Sequence, residues 1–176
     1  MALHFLPGMG ADRRIWGRIA DVFPDGSFHD WHRPSSLTMS VRAYAKEIAQ
    51  MHGIVSGDTI VGVSMGAIVG AELTLWIPDL RVIQISGCCQ VSQLNRLAMI
   101  ASPLAYLFPF RLLQFSPSEV LAGSAYRLAS IMYRASDKIF IRWACIEIPR
   151  WGGIDPAAVA YSIHGDADLV FPMRRA

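Results

Sequence analysis

Residues 59–72, TIVGVSMGAIVGAE, pass from β-branched residues into Gly62-Val63-Ser64-Met65-Gly66 and out into small, helix-compatible residues. A chain with this stretch must turn a buried strand into a helix almost without a loop. Such a turn is crowded, so a side chain at Gly62 or Gly66 would strike the neighbouring strand or helix. The bend lifts the Ser64 hydroxyl clear of the sheet. It also sets Ser64 at a helix N-terminus, where the dipole and free backbone N–H groups favour a developing anion. A strand, a Gly-x-Ser-x-Gly turn and a helix in this order form a nucleophile elbow.

The rest of the chain supplies the sheet into which that strand fits. ALHFL (2–6), SFHDW (27–31), DTIVGVS (58–64), LRVIQIS (80–86) and VAYSIHG (159–165) read as five strands. Between them lie helical patterns. One is ADRRIWGRIADVF (11–23), with Ile15, Trp16, Ile19, Val22 and Phe23 at helical spacing and Asp12 as a cap. Another is SVRAYAKEIAQMHG (40–53), capped by Ser40, stopped by Gly53 and lined by Val41, Tyr44, Ala45 and Ile48. A third runs from about 65 to 76, before Pro78. Strands alternating with helices predict an α/β fold: a mostly parallel sheet with helices on both faces. Residues 88–150 break the rhythm, with helical patterns in PSEVLAGSAYRLASIMYRA and SDKIFIRWACIEI and many aromatics that read as exposed. They are expected to form a helical cap or lid inserted between two parts of the core, 1–87 and 151–176. The insertion leaves a strand's carboxyl end, where open α/β sheets bind ligands.

With 176 residues, 53% of them hydrophobic and 17% charged, the chain has the material for one domain with a real core. A net charge of +2, scattered along the sequence, argues against nucleic acid and anionic membrane as partners. The short clusters DRR and MRRA read as solvated surface. Cys88, Cys89 and Cys145 have no metal-ligand spacing and are expected to be free thiols in a reducing cytoplasm. The start, MALHFLPG, lacks the basic flank of a signal peptide. The most apolar stretch, 97–113, is broken by Pro103, Pro109 and Arg111 and falls short of the ~20 residues a spanning helix needs, so no stable membrane insertion is expected.

Two further stretches bear on Ser64. HFLPGMGAD places the Gly-rich turn Pro7-Gly8-Met9-Gly10 directly after the first strand. Acyl transfer needs two N–H donors aimed at the tetrahedral oxyanion. The backbone of Met65 offers one and that of Met9 the other. A dinucleotide-binding reading of Gly8-Met9-Gly10 fails because Arg13 stands where a third glycine is required. In YSIHGDADLVFP, a strand ends at His164-Gly165 and two aspartates follow. Either Asp166 or Asp168 could hold a catalytic imidazole in its tautomer and stabilise its charged form.

Taken together, Ser64, the Pro7-Gly8-Met9 loop and His164-Gly165-x-x-Asp168-x-x-x-Pro172 resemble the α/β-hydrolase superfamily. FLPGMGADRRIW and HDWHRP are similar to its small bacterial esterase-type branch. The resemblance spans essentially the whole chain. It implies Ser64 as nucleophile, Asp168 as the triad acid with Asp166 a non-catalytic turn residue, and Met9 and Met65 as the oxyanion hole. Gly62 and Gly66 then shape the elbow, and Gly8 and Gly10 the oxyanion loop. No metal or organic cofactor is implied.

The resemblance also implies a histidine after the acid, on a loop following one more strand. None of the five histidines, His4, His29, His32, His52 and His164, stands there. The expectation is a chain cut short, its last strand, last helix and triad histidine lying beyond residue 176, and nearly inactive alone. The 159–165 strand would then be an open sheet edge, expected to promote self-association. The functional reading is a serine hydrolase of a small, apolar ester or related acyl compound. The alternatives are a non-catalytic binding module on the same scaffold, or an acyltransferase or C–C hydrolase.

Overall fold

The computed structural model describes residues 1–93 and 124–166. Among the described residues five parallel strands form one sheet in the order β2-β1-β3-β4-β5. They are β1 (Leu3–Leu6), β2 (Ser27–Phe28), β3 (Thr59–Val63), β4 (Arg81–Ile85) and β5 (Tyr161–Ile163). The chain steps from β1 to β2, then crosses back over β1 to reach β3. The direction of winding therefore reverses between β1 and β3, which opens a crevice at their carboxyl ends. Register puts Leu6 opposite Gly62, so the turns that leave β1 and β3 emerge side by side.

Five helices cover the described sheet: α1 (Gly17–Val22), α2 (Val41–His52), α3 (Met65–Leu73), α4 (Ser124–Ala135) and α5 (Lys138–Glu147). In α2 the predicted signals all act. Ser40 accepts from the Ala43 N–H, Gly53 closes the helix in the left-handed conformation, and Val41, Tyr44, Ala45 and Ile48 face inward. Every residue of α3 is buried, because the sheet, α2 and the segment around Trp151 enclose it.

The first helical segment departs from its predicted stripe. Asp12 caps a 3-10 turn, Arg13–Trp16, ahead of the short α1. The tighter winding turns the face. Trp16 is buried edge-on against Phe5, whereas Ile15, Val22 and Phe23 are exposed. Strand β2 is also shorter than the predicted 27–31. Asp30 leaves the sheet to accept from the backbone N–H of Arg13 at 2.8 Å and its Nε at 2.7 Å. Helix α3 ends at Leu73 rather than 76, where the Thr74 hydroxyl donates to the Ala71 carbonyl at 2.7 Å.

The described part of the 88–150 segment is built into the core. Phe140, Ile141, Trp143 and Ala144 of α5 share one buried cluster with Leu6, Tyr44, Ile60, Met65 and Val69. Trp151 and Ile154 join a second cluster with Val41, Ile68, Ala71, Cys88 and Cys89. The aromatics of α5 that read as exposed are thus buried, each contributing on the order of 2 kcal/mol. The apolar stretch 97–113 and the MRRA cluster lie outside the described residues. Among the described residues β5 pairs only with β4, and its Tyr161 and Ile163 are exposed. All three cysteines are free. Among the described residues no helix is long and apolar enough to cross a membrane.

Candidate active site

Ser64 sits at the carboxyl end of β3 as the N-terminal flanking residue of α3, with φ 53° and ψ −111°. This left-handed backbone is sparsely populated for a residue with a β-carbon and costs ~1–3 kcal/mol. Three hydrogen bonds hold it there. The Ser64 N–H donates to the Ile85 carbonyl at 2.9 Å, and the Ala67 and Ile68 N–H groups donate to the Ser64 carbonyl at 3.1 and 3.2 Å. Ser64 is half-buried.

The flanking glycines are demanded by contact. A β-carbon on Gly62 would overlap the Gly66 carbonyl and lie 2.5 Å from the Ala67 nitrogen. One on Gly66 would overlap the Leu6 carbonyl and lie 2.6 Å from the Pro7 oxygen. The obstructing atoms are backbone, so no rotamer change relieves them. Helix α3 thus packs directly against the ends of β1 and β3, and its first backbone N–H groups, including that of Met65, have no intrahelical partner.

The β1 turn closes over the same point. A β-carbon on Gly8 would lie 3.5 Å from Ser64 Cβ, so the Gly-rich turn runs alongside the serine. The Ala11 N–H and the Trp31 indole N–H both donate to the Gly8 carbonyl, at 3.1 and 3.0 Å. Gly10, at φ 77°, lies under the Tyr133 ring. The Met9 side chain is exposed, and its sulfur accepts from the Cys145 thiol at 4.0 Å. Burial raises the Cys145 thiol and the Tyr133 hydroxyl, so both stay protonated near neutrality and neither is poised as a base.

Ser64, Met65, Gly62, Gly66, Gly8, Met9 and Gly10 therefore converge at the adjoining ends of β1 and β3. Asp166 lies past the end of β5, two strands away from β3, and Asp168 lies outside the described residues. The histidines are engaged elsewhere. His4 pairs with His29 and Asp58, His32 with Glu47, and His164 with Ser162, while the His52 ring packs tilted against His29.

Two features, one beside Ser64 and one near the far end of α3, escaped the sequence reading. Ser86, next to Ser64 across the register, also has a left-handed backbone, at φ 48°. Its only signal was a Ser-Gly pair closing a strand. Glu72, eight residues into the helix after Ser64, is completely buried; it accepts from Arg42 Nε at 2.6 Å and Trp151 Nε1 at 2.8 Å. Its partners are remote in sequence, so nothing local announced it. Among the described residues no group of side chains has the geometry of a metal site.

No protein-family model and no curated protein matches the sequence. Solved structures match across nearly the whole chain. A hydrolase from Pseudomonas aeruginosa PA01 superposes with a TM-score of 0.72 at 13% identity, over 99% of this chain and 75% of its own. A thermophilic esterase from Thermogutta terrifontis gives 0.72 at 13%, over 99% and 75%. A lipase-esterase related protein from Clostridium acetobutylicum ATCC 824 gives 0.67 at 17%, over 99% and 78%. The chain shares with them the α/β-hydrolase fold and spans about three quarters of their length.

Proposed function

We propose that this chain carries the nucleophile and oxyanion hole of a serine hydrolase that cleaves a small, apolar ester or related acyl compound. One observation carries the reading: Ser64 is held in a strained, left-handed backbone between two glycines that tolerate no β-carbon, beside a second Gly-rich turn. Strain of this kind is kept where the chemistry needs it. A merely structural serine at a helix start would have extended backbone and would cap the helix with its side chain.

In this reading the Ser64 hydroxyl oxygen attacks the acyl carbon and its proton passes to a base. The backbone N–H groups of Met9 and Met65 receive the oxyanion of the tetrahedral intermediate. The intermediate collapses, the alcohol leaves with the proton, and a water then repeats the sequence to free the acid. Asp168 would orient the base, a histidine supplied from outside residues 1–176. The apolar clusters around the site favour an uncharged acyl group.

A fluorophosphonate probe tests this on the full-length protein. Ser64 should be the labelled residue by mass spectrometry, and Ser64→Ala should abolish labelling. Absence of labelling in the wild type overturns the reading and favours a binding module. Residues 1–176 alone, without the base, should keep only the ~10³–10⁴-fold acceleration that an oxyanion hole and binding provide in other triad enzymes.

A further inference from the structure

We infer that Trp31 is a positioning residue that sets the direction of the Met9 N–H, and that α5 sets Trp31 through Phe140. The inference rests on the proposed reading of Ser64. It begins from the peptide bond between Gly8 and Met9. That unit is planar and trans, so the Gly8 carbonyl and the Met9 N–H point in opposite directions from one rigid plate. Whatever fixes the carbonyl fixes the N–H. Two donors fix it: the Ala11 N–H closes the turn at 3.1 Å and the Trp31 indole N–H holds the same oxygen at 3.0 Å. The Ala11 bond is local and moves with the turn. The Trp31 bond spans 23 residues and ties the turn to the body of the protein.

The indole is itself anchored. Its ring stacks on Phe140 with centroids 5.4 Å apart and planes 23° from parallel. Tyr44 packs against it at 6.0 Å, and the Tyr44 hydroxyl donates to the His32 carbonyl at 2.8 Å, holding the backbone next to Trp31. On the far side of the turn, the Tyr133 ring of α4 rests on Gly10. The Gly-rich turn is thus gripped between helices α4 and α5, and Trp31 is the grip from outside the turn that acts on the plate carrying the candidate oxyanion donor.

Two variants of the full-length protein test it. Trp31→Phe keeps a ring on Phe140 and removes the N–H. Replacement of Trp31 by 3-benzothienylalanine, which has sulfur in place of the N–H, keeps the shape as well. Both should slow fluorophosphonate labelling of Ser64 and lower kcat for p-nitrophenyl acetate by ~10-fold or more, the scale of a misdirected oxyanion donor. KM should stay within about twofold and affinity for a trifluoromethyl ketone should fall in parallel with kcat, as for a contact made only in the transition state. Wild-type rates in the benzothienyl variant overturn the inference. So does a change in KM alone, or a loss of activity in both variants that only follows a collapse of the thermal midpoint. An unlabelled wild-type protein instead overturns the reading of Ser64, and this inference with it.

Discussion

Gly66 of α3 lies so close to the Leu6 carbonyl of β1 that a β-carbon on Gly66 would overlap the oxygen. The contact is between backbone atoms of two core elements, so it can be relieved only by moving the helix off the sheet. Gly66→Ala should therefore cost ~2–4 kcal/mol, in the range of severe overpacking. Gly62→Ala should cost a similar amount. Gly17→Ala is the control: Gly17 has helical backbone and no atom within 4 Å of its β-carbon position, and the change should stabilise by ~0.4–1 kcal/mol. Urea unfolding of the three variants checks the order.

Ser64 gives a prediction of opposite sign. Its backbone at φ 53°, ψ −111° suits glycine better than any residue with a β-carbon. Ser64→Gly should release ~1–3 kcal/mol of strain. The more flexible unfolded chain takes back ~0.4–1 kcal/mol. The variant should come out about 1 kcal/mol more stable by urea unfolding, while losing all fluorophosphonate labelling. A less stable variant would show that the backbone at Ser64 stores no strain.

Much of this geometry was legible in the sequence, because the crowded turn imposes its glycines locally. TIVGVSMGAIVGAE places the strand within a residue at each end and the start of the helix at Met65, and SVRAYAKEIAQMHG carries its own cap, stop and buried face. What the sequence hid was long-range. Nothing in HDWHRP says that Asp30 captures Arg13 and ends β2, or that Trp31 reaches Gly8. The apolar aromatics of 136–148 look like a separate lid by composition. Only the folded chain shows that Phe140 and Trp143 complete the core around Tyr44.

At the opposite end of the sheet, a histidine cluster sets the response to acid. His4 pairs with His29 at 2.9 Å and with Asp58 at 3.4 Å, and the His29 and His52 rings are 3.9 Å apart. Burial, then His52, His4 and Arg13, bring His29 down to about 4, against the opposing pull of Asp30. Burial also lowers His52, reinforced by His32 and His4 and opposed by Asp30. Folded His29 thus resists a proton that the unfolded chain accepts near 6.5, so stability should fall as pH drops from about 6.5 to about 4. With solvent screening the loss is on the order of 1–2 kcal/mol. Asp58 acts lower down. Burial raises it, but the Ala2 and Val55 N–H groups and His4 outweigh that, so its contribution is lost only below about 3.8. His29→Asn should flatten the slope between pH 6.5 and 4 in urea titrations and leave the lower limb intact. An unchanged slope would assign it to other groups.

The buried carboxylate of Glu72 makes the last prediction, and the order of effects is the informative part. Arg42 Nε and Trp151 Nε1 hold its two oxygens, tying α2 and the chain after α5 to α3. The pair is lopsided: the Glu72 side chain is 1% exposed and that of Arg42 is 55% exposed. Removing Arg42 leaves a charge stranded inside the protein, whereas removing Glu72 leaves a guanidinium that can turn to water. Arg42→Ala should therefore cost ~2–4 kcal/mol, including the contact Arg42 makes over the Trp76 ring. Glu72→Met replaces the carboxylate with a side chain of similar length that packs among Val41, Ile68 and Trp151. It should cost only ~1–2 kcal/mol, chiefly the unmet Trp151 N–H. In the double variant the charge penalty disappears, so the two losses should not add: Arg42→Ala on top of Glu72→Met should cost under about 1 kcal/mol. Additive losses across this cycle, measured by urea unfolding, would mean that Arg42 stabilises the fold by packing and not by neutralising Glu72.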